Sequence, residues 1–268
     1  MELEVLGYIS AILVGISLGL IGSGGSILTV PILVYMMAVE PVLATAYSLF
    51  IVGATSLVGG AQSAFHGRVD FKTVLVFGLP SIVAVYLTRA FVVPIIPDVL
   101  FPMGDFQFTR SIALMVLFAV VMILASLSMI RPQKKSLDTD ISPIKYNYPL
   151  TVLEGTLVGG LTGLVGAGGG FLIIPALVIL AKLPMKLAVG TSLLIIAAKS
   201  LLGFIGDIQS DQNIDWIFLS FFTGLAIIGI FIGNYLSTKM DGDKLKIGFG
   251  RFVLIMGIYI LVKELFLP

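Results

Sequence analysis

Several stretches of this chain carry no charged residue over a length that matches the thickness of a lipid bilayer. Pro41–Phe65 and Ser111–Ile130 are two such stretches, and the shorter stretch Leu187–Ala198 also carries no charge. The hydrocarbon core of a bilayer is about 30 Å thick and takes about 20 apolar residues in a helix. Charged residues make up only 12% of the 268 residues, whereas soluble domains have about 25%. The sequence therefore predicts an all-α polytopic membrane protein.

The chain also repeats itself after 144 positions. GLIGSGGSILTVPILV, Gly19–Val34, aligns without gaps with GLVGAGGGFLIIPALV, Gly163–Val178. Glycines and prolines carry much of this agreement, so the apolar composition alone does not explain it. We therefore divide the chain into a first repeat (1–130), a linker (131–147) that is cytoplasmic in the orientation argued below, and a second repeat (148–268).

Each repeat is predicted to contain five apolar segments. They are Leu6–Ile21, Ser26–Ala38, Pro41–Phe65, Phe71–Val93 and Thr109–Ile130, then Pro149–Val165, Phe171–Ala181, Lys186–Ile205, Ile214–Ser237 and Lys246–Leu265. If each segment reverses direction, an odd number per repeat inserts the two copies in opposite senses. This is an inverted repeat, which many secondary transporters have. A parallel duplication would need an even number of segments.

Loop charges orient the chain, because cytoplasmic loops are enriched in lysine and arginine. With the N-terminus outside, twelve basic residues fall on the inside and three on the outside, while Lys199 lies within a span. The outside set is Arg89, Arg110 and Lys263. This bias predicts that both termini are outside. Arg89, Arg251 and Asp207 sit near predicted helix ends, where charged side chains usually extend to the interface.

Glycine-rich turns join the first two segments of each repeat. They are Gly22-Ser23-Gly24-Gly25 and Gly166-Ala167-Gly168-Gly169-Gly170. The flanking segments are too short to span a bilayer, since Leu6–Ile21 reaches only about 24 Å as a helix. We therefore predict two re-entrant helical hairpins with glycine tips near the membrane midplane, each followed by three transmembrane helices. The free N–H groups of a helix start favour an anion there. The alternative is that these glycines only permit close helix packing, the role we assign to Gly15/Gly19 and Gly159/Gly163.

Polar residues within the spans complete the candidate site. Lys199 is the one charge in the middle of a span, where a lysine is costly and needs an anion, water or a partner such as Glu154. Glu154 is also the candidate for proton coupling. Hydroxyl groups fall at equivalent places on the long helices beside the tips. The candidate substrate-binding residues are Gly22, Ser23, Gly24, Gly25, Ser26, Thr45, Tyr47, Ser48, Gly166, Ala167, Gly168, Gly169, Gly170, Thr191, Ser192 and Lys199.

The sequence offers little support for other functions. A net charge of +1 gives no reason to expect a nucleic-acid partner, and the absence of cysteine removes disulfides and thiolate sites. Gly15–Gly19 matches G-x-S-x-G, but that motif belongs to a strand-to-helix turn in hydrolases and here lies in an apolar helix. We expect no enzyme, no cofactor and no metal. An anion channel and a carrier of carboxylates remain the alternatives.

The paired motifs resemble those of the TauE/SafE family, also called the toluene-sulfonate uptake permease family. The resemblance rests on GLIGSGGSILTVPIL with LATAYSLF, and on GLVGAGGGFLIIPAL with LAVGTSLL. It implies a multi-pass transporter of a prokaryotic cytoplasmic membrane that exports sulfite, sulfonates or related anions. Ala167 stands where the first tip has Ser23, so the two tips cannot donate identical hydrogen bonds. The lack of cysteine makes a relay of thiosulfate through membrane cysteines a poor fit.

The expected function is secondary transport of a small sulfur-containing oxyanion by alternating access around this midplane site. Its expected partners are the anion and the lipid bilayer, with proton coupling and a homodimer left open.

Overall fold

A bundle of apolar helices makes up almost all of the part of the chain that the structure describes. The computed structural model describes residues 2–103, 106–130, 148–166, 168–170, 173–174, 177, 183–208, 214–237 and 242–266. The helices are α1 Glu2–Ile21, α2 Thr29–Tyr35, α3 Pro41–Phe65, α4 Phe71–Leu87, α5 Val93–Ile95, α6 Arg110–Ile130, α7 Tyr148–Val165, α8 Met185–Ile208, α9 Trp216–Ser237 and α10 Gly242–Phe266. A 3₁₀ segment, Gly22–Leu28, joins α1 to α2, and a π-helical segment, Thr88–Val92, joins α4 to α5.

Five of the described helical stretches are long and apolar enough to cross a membrane. They are Pro41–Phe65, Phe71–Ile95, Arg110–Leu127, Leu187–Ile208 and Trp216–Ser237. Large apolar side chains such as Phe231, Ile255 and Leu157 are exposed on the outside of the bundle, which in water would be a large unfavourable patch. The prediction of an all-α polytopic membrane protein is confirmed at this level.

Acidic residues define where several helices begin. Glu40 accepts a hydrogen bond from the Leu43 amide, 3.1 Å, just before Pro41 at the first turn of α3. Asp70 accepts from the Lys72 amide at the start of α4, and Asp215 accepts from the Phe218 amide at the start of α9. Such side chains satisfy amide groups that the first helical turn leaves without partners. The sequence therefore sets these boundaries locally.

The first helix of each predicted repeat packs on a helix of the other repeat. Gly15 on α1 lies against the backbone of Ala226 on α9, and Gly159 on α7 lies against Ser81 on α4. In each pair, further contacts advance toward the C-terminal ends of both helices. Helix α1 therefore runs parallel to α9, and α7 runs parallel to α4. The absence of side chains at these glycines lets two backbones approach closely. Their predicted packing role is consistent with these contacts.

The two longest central helices, α3 and α8, pack antiparallel against each other. A Cβ atom built on Gly53 would lie 2.9 Å from Cγ of Leu201, and one on Gly60 would lie 2.7 Å from Cδ2 of Leu194. The helices α6 and α10 also run antiparallel, with Gly257 beside Met122. The centre of the bundle is therefore built from one helix of each half.

Three local details differ from the sequence-based expectation. Helix α1 begins at Glu2 and so reaches about 30 Å, longer than the segment predicted from Leu6. The first glycine tip forms a 3₁₀ segment instead of an open turn. Val99–Met103 and Phe106–Thr109 form an antiparallel strand pair before α6, which is the exception to the all-α prediction. The predicted linker 131–147 and most of the predicted segment 171–181 lie outside the described residues.

Candidate functional site

The two glycine tips meet inside the bundle. A Cβ atom built on Gly168 would lie 3.4 Å from Cβ of Ser26 and 2.7 Å from Cγ1 of Val52. Gly168 has a φ of +63°, which glycine adopts without the strain that other residues incur. Ser26 and Gly168 are both buried. The prediction of two converging tips therefore agrees with the contacts of these two residues.

Each tip also contacts the long helix of the other half. Gly22 has a φ of +71°, and a Cβ atom there would lie 2.6 Å from Cγ1 of Val189 on α8. Gly166 has a φ of +73° and lies directly against Thr45 on α3. Gly22 and Gly166 are equivalent in the repeat, and so are Thr45 and Val189. The two contacts are therefore reciprocal.

Lys199 on α8 reaches the second tip. Its Nζ atom donates a hydrogen bond to Oγ1 of Thr162 on α7, at 3.0 Å, and its side chain is completely buried. A Cβ atom on Gly169, whose φ is +61°, would lie 2.8 Å from that Nζ. An ammonium group has three N–H donors and no acceptor. Within the described residues no carboxylate pairs with Lys199, so its positive charge faces the glycine tip with only a hydroxyl as partner.

The suggested pairing of Lys199 with Glu154 is not formed. Glu154 is half-buried on α7, about two helical turns before Thr162, and the lysine contacts Thr162 instead. The distance along α7 between these two positions is about 12 Å. The carboxylate of Glu154 therefore does not neutralise the lysine.

Hydroxyl groups on α3 and α8 differ in what they bond. Thr45 donates to the Val42 carbonyl at 2.7 Å, and Ser192 donates to the Val189 carbonyl at 2.8 Å. The Ser48 hydroxyl is buried and has no hydrogen-bond partner among the described residues. It lies one turn from Thr45, on the side of α3 that carries the Gly166 and Gly168 contacts. Ser48 is therefore a donor available beside the tips.

The hydroxyl oxygens of Tyr47 and Thr191 accept hydrogen bonds from backbone amides at two helix starts. The Asp215 amide donates to the Tyr47 hydroxyl at 2.7 Å, and the Asp70 amide donates to Oγ1 of Thr191 at 2.9 Å. Asp70 and Asp215 are the residues that begin α4 and α9. The two hydroxyls thus form hydrogen bonds with equivalent helix starts. The sequence analysis, which grouped them with Ser48, did not predict these hydrogen bonds.

The remaining candidates are only partly described. Ser23, Gly24 and Gly25 lie in the 3₁₀ segment, and Gly170 is buried at the end of the second tip. Ala167 lies outside the described residues. Among the residues that the structure covers, no group of three or more His, Cys, Asp or Glu side chains comes together in a way that could hold a metal ion.

Arg89 and Asp207 do not extend to the interface as their sequence positions predicted. Their side chains are 0% and 1% exposed and form an ion pair, with 3.3 Å between Nη1 of Arg89 and Oδ1 of Asp207. This pair could not be predicted from the sequence pattern, because its partners are 118 residues apart. A pair of opposite charges that the sequence analysis did not predict therefore lies within the bundle near the ends of α4 and α8.

Together, the tips and α3 place a buried cation, backbone at positive φ and a hydroxyl without a partner among the described residues in one region of the bundle. A buried ionisable group of this kind in a membrane protein usually marks a substrate or ion pathway. Half-helices that begin at a break near the centre are also typical of transporter binding sites. The fold and the site define a membrane transporter.

Comparison with known proteins identifies the family. Residues 8–260 match the family model described as sulfite exporter TauE/SafE. The chain is 30% identical over 257 residues to a probable membrane transporter protein of Xylella fastidiosa (strain 9a5c), covering 94% of this chain and 92% of the relative. It is 30% identical over 280 residues to the probable membrane transporter protein YunE of Bacillus subtilis (strain 168), covering 95% and 94%. No solved structure matches the chain significantly. The chain belongs to the TauE/SafE family, which confirms the resemblance noted from its motifs.

Proposed function

We propose that this protein is a secondary transporter that exports a small sulfur-containing oxyanion, sulfite or an organosulfonate. The observation that carries the proposal is the buried ammonium group of Lys199, which has one hydroxyl partner and lies beside Gly169. Burying an unpaired charge is costly, and an anion at the tips would offset that cost. The description of the matched family, sulfite exporter, supports the choice of anion.

The proposed anion site lies between the two tips. Lys199 supplies the positive charge, the tip backbone at Gly22–Ser26 and Gly168–Gly170 lines the site, and Ser48 contributes a hydroxyl group from α3. The Gly166 amide and the Ser192 hydroxyl donate instead to the carbonyls of Thr162 and Val189. We assign Tyr47 and Thr191 to holding the starts of α9 and α4, on the strength of their hydrogen bonds to Asp215 and Asp70. The glycine positions matter because a side chain there would fill the space an anion needs.

Alternating access would follow from an inverted repeat. The reciprocal contacts support that symmetry: Gly22 with Val189 matches Gly166 with Thr45, and α1 on α9 matches α7 on α4. The parallel and antiparallel directions of these pairs are those expected if every segment reverses direction. Two re-entrant hairpins that enter from opposite faces would let the halves open alternately around one site.

The proposed setting is the cytoplasmic membrane of a prokaryote, with both termini outside. A negative cell interior drives anions outward, so export needs no nucleotide hydrolysis. Glu154, which is half-buried on α7, is the candidate for a coupled proton. A homodimer is the assembly we propose to test by mass measurement in detergent.

Counterflow in proteoliposomes tests the proposal. Vesicles loaded with unlabelled sulfite should transiently concentrate external ³⁵S-sulfite, because a carrier exchanges one anion for another. Sulfoacetate and taurine test organosulfonates, and acetate tests the carboxylate alternative. A channel would let the label equilibrate without any overshoot. Absence of exchange with every one of these anions would refute the proposed function.

A further inference from the structure

The buried ion pair of Arg89 and Asp207 leaves polar atoms without partners. Arg89 uses Nη1 to contact Oδ1 of Asp207 at 3.3 Å. Its Nε and Nη2 atoms are buried and have no hydrogen-bond partner among the described residues, and neither has Oδ2 of Asp207. Buried polar atoms are almost always hydrogen-bonded in native proteins. Three such atoms in one pair therefore require an explanation.

The unused atoms form a particular edge of the guanidinium group. Nε and Nη2 lie on the same side of the planar group, and their N–H bonds are nearly parallel. This edge matches two oxygens of a carboxylate, sulfite, sulfonate or phosphate in a bidentate contact. Nη1, which contacts Asp207, is on the other side. The ion pair thus leaves the two-pronged edge of Arg89 available.

The backbone at Arg89 is also unusual. Arg89 lies in the π-helical segment Thr88–Val92, where the Val93 amide bonds to the Thr88 carbonyl. Single π-helical turns inside α-helices occur frequently at functional sites. Close packing on α8 fixes the segment, because a Cβ atom on Gly206 would lie 3.0 Å from Cβ of Arg89. The position of the guanidinium group is therefore set by backbone contacts and by Asp207.

This pair follows the tip site along the same helices. Asp207 is eight residues after Lys199 on α8, which corresponds to about 12 Å along the helix axis. Thr88, next to Arg89, contacts Gly163, and Gly163 follows Thr162, the partner of Lys199. The two buried cations, Lys199 and Arg89, therefore lie one after the other between the tips and the end of α8.

The equivalent position in the other half carries no charge. Arg89 lies nineteen residues after Asp70, which begins α4, and Asn234 lies nineteen residues after Asp215, which begins α9. Asn234 donates to the side-chain oxygen of Gln62 on α3 at 2.6 Å. The polar contact between helices recurs, but a guanidinium group and a carboxylate are present at one end only.

We propose that Arg89 is a second binding station for an oxyanion, which its Nε–Nη2 edge holds between the tip site and the end of α8. This inference rests on the proposed anion transport. Asp207 orients the guanidinium group through Nη1, and its negative charge weakens the bound anion enough for release. The neutral Gln62–Asn234 contact provides no such station, so the path is asymmetric.

Anion-induced thermal stabilisation of the purified full-length protein tests this station, with sulfite, sulfate and chloride as probes. Arg89→Lys keeps the charge and the contact with Asp207 but removes the Nε–Nη2 edge of the guanidinium group. This variant should weaken sulfite binding at least about tenfold. The Asp207→Asn variant should have a lower melting temperature than the wild type without anion, and sulfite should raise that temperature by a larger amount. The double variant Arg89→Gln with Asp207→Asn leaves no uncompensated charge, so it should fold yet lose the station.

The outcomes separate the two proposals. Wild-type sulfite affinity in Arg89→Lys or in the double variant would overturn the second station, and so would a loss of sulfite binding in Asp207→Asn. Lys199→Met reports on the tip site independently. If Lys199→Met and the Arg89 variants each remove part of the sulfite response, both sites stand. If no probe stabilises the wild-type protein, the station is overturned, and the counterflow measurements decide separately whether the proposed function stands.

Discussion

The amino group of Lys199 and the hydroxyl of Thr162 are joined by a 3.0 Å hydrogen bond inside the helical bundle. A hydroxyl group can accept this hydrogen bond but cannot neutralise the charge. Thr162 lies at the end of α7, just before the second glycine tip, so the bond holds the ammonium group beside Gly169. The hydrogen bond therefore places the charge directly beside the second glycine tip.

Replacing this lysine with methionine separates binding from folding. Lys199→Met keeps the length of the side chain and removes a charge whose burial costs several kcal/mol, so the protein without anion should melt at the wild-type temperature or higher. Its affinity for sulfite should fall at least about tenfold, as expected for loss of a charge-assisted contact. Thermal-shift titration measures both quantities.

The matched control is Lys263→Met. Lys263 lies in the last turn of α10, where its Nζ is 4.0 Å from the centre of the Tyr35 ring. This variant should keep the sulfite affinity. Equal affinities in wild type and Lys199→Met would return Lys199 to a structural role.

A methyl group at the second tip should abolish binding. In Gly169→Ala the new Cβ would collide with Oγ1 of Thr162 and lie 2.8 Å from Nζ of Lys199, at a φ of +61° that disfavours alanine. The tip must shift, and the Lys199–Thr162 bond is displaced with it. Sulfite counterflow should fall to background. Gly224→Ala is the control, because a Cβ there meets no atom within 4 Å, and it should transport normally.

Removal of the Ser48 hydroxyl should affect binding but not stability. The group is buried without a hydrogen-bond partner in the described part of the chain, so Ser48→Ala breaks no contact of the folded protein. Affinity for sulfite should fall several-fold, because an oxyanion loses one donor. Ser126→Ala on α6, which removes a bond to the Ile123 carbonyl, should leave affinity unchanged. The idea is contradicted if Ser48→Ala lowers the melting temperature and spares binding.

Tyr47→Phe should show the opposite behaviour. Its hydroxyl accepts a hydrogen bond from the Asp215 amide at 2.7 Å, and its removal leaves that amide without this partner. The expected loss of stability is about 1–2 kcal/mol, measured by thermal unfolding in detergent, while the affinity for sulfite stays at the wild-type value. A selective loss of affinity would instead return Tyr47 to the anion site.

The helix boundaries were largely predictable, since local signals set them. Pro41 after Glu40 begins α3 where the sequence predicted, and the same helix ends at Phe65 as expected. Lys199 could be singled out because one charge in an apolar span is conspicuous by itself. The repeat carries long-range information inside a single sequence, and the contact of Ser26 with Gly168 is consistent with the predicted convergence of the two tips.

Side-chain partners across the bundle were not predictable in the same way. Arg89 was expected to reach the interface, and its burial depends on a carboxylate on another helix. The choice between Thr162 and Glu154 for Lys199 depends on how far α7 is displaced along α8. Tyr47 was expected to line the tips because it lies next to Ser48 on α3. A hydroxyl group can also hold a helix start, and the sequence does not show that the Asp215 amide lies within hydrogen-bond distance of Tyr47.

The glycine face of α1 has a consequence for how the protein is made. Gly15 and Gly19 lie against α9, which begins at Trp216 and is synthesised much later than α1. A ribosome therefore delivers α1 to the membrane long before its main neighbour exists, and α7 has to insert itself beside an α4 that is already there. The helices of the first half therefore enter the membrane before α9 is available, and α1 can pack on α9 only after α9 has been synthesised.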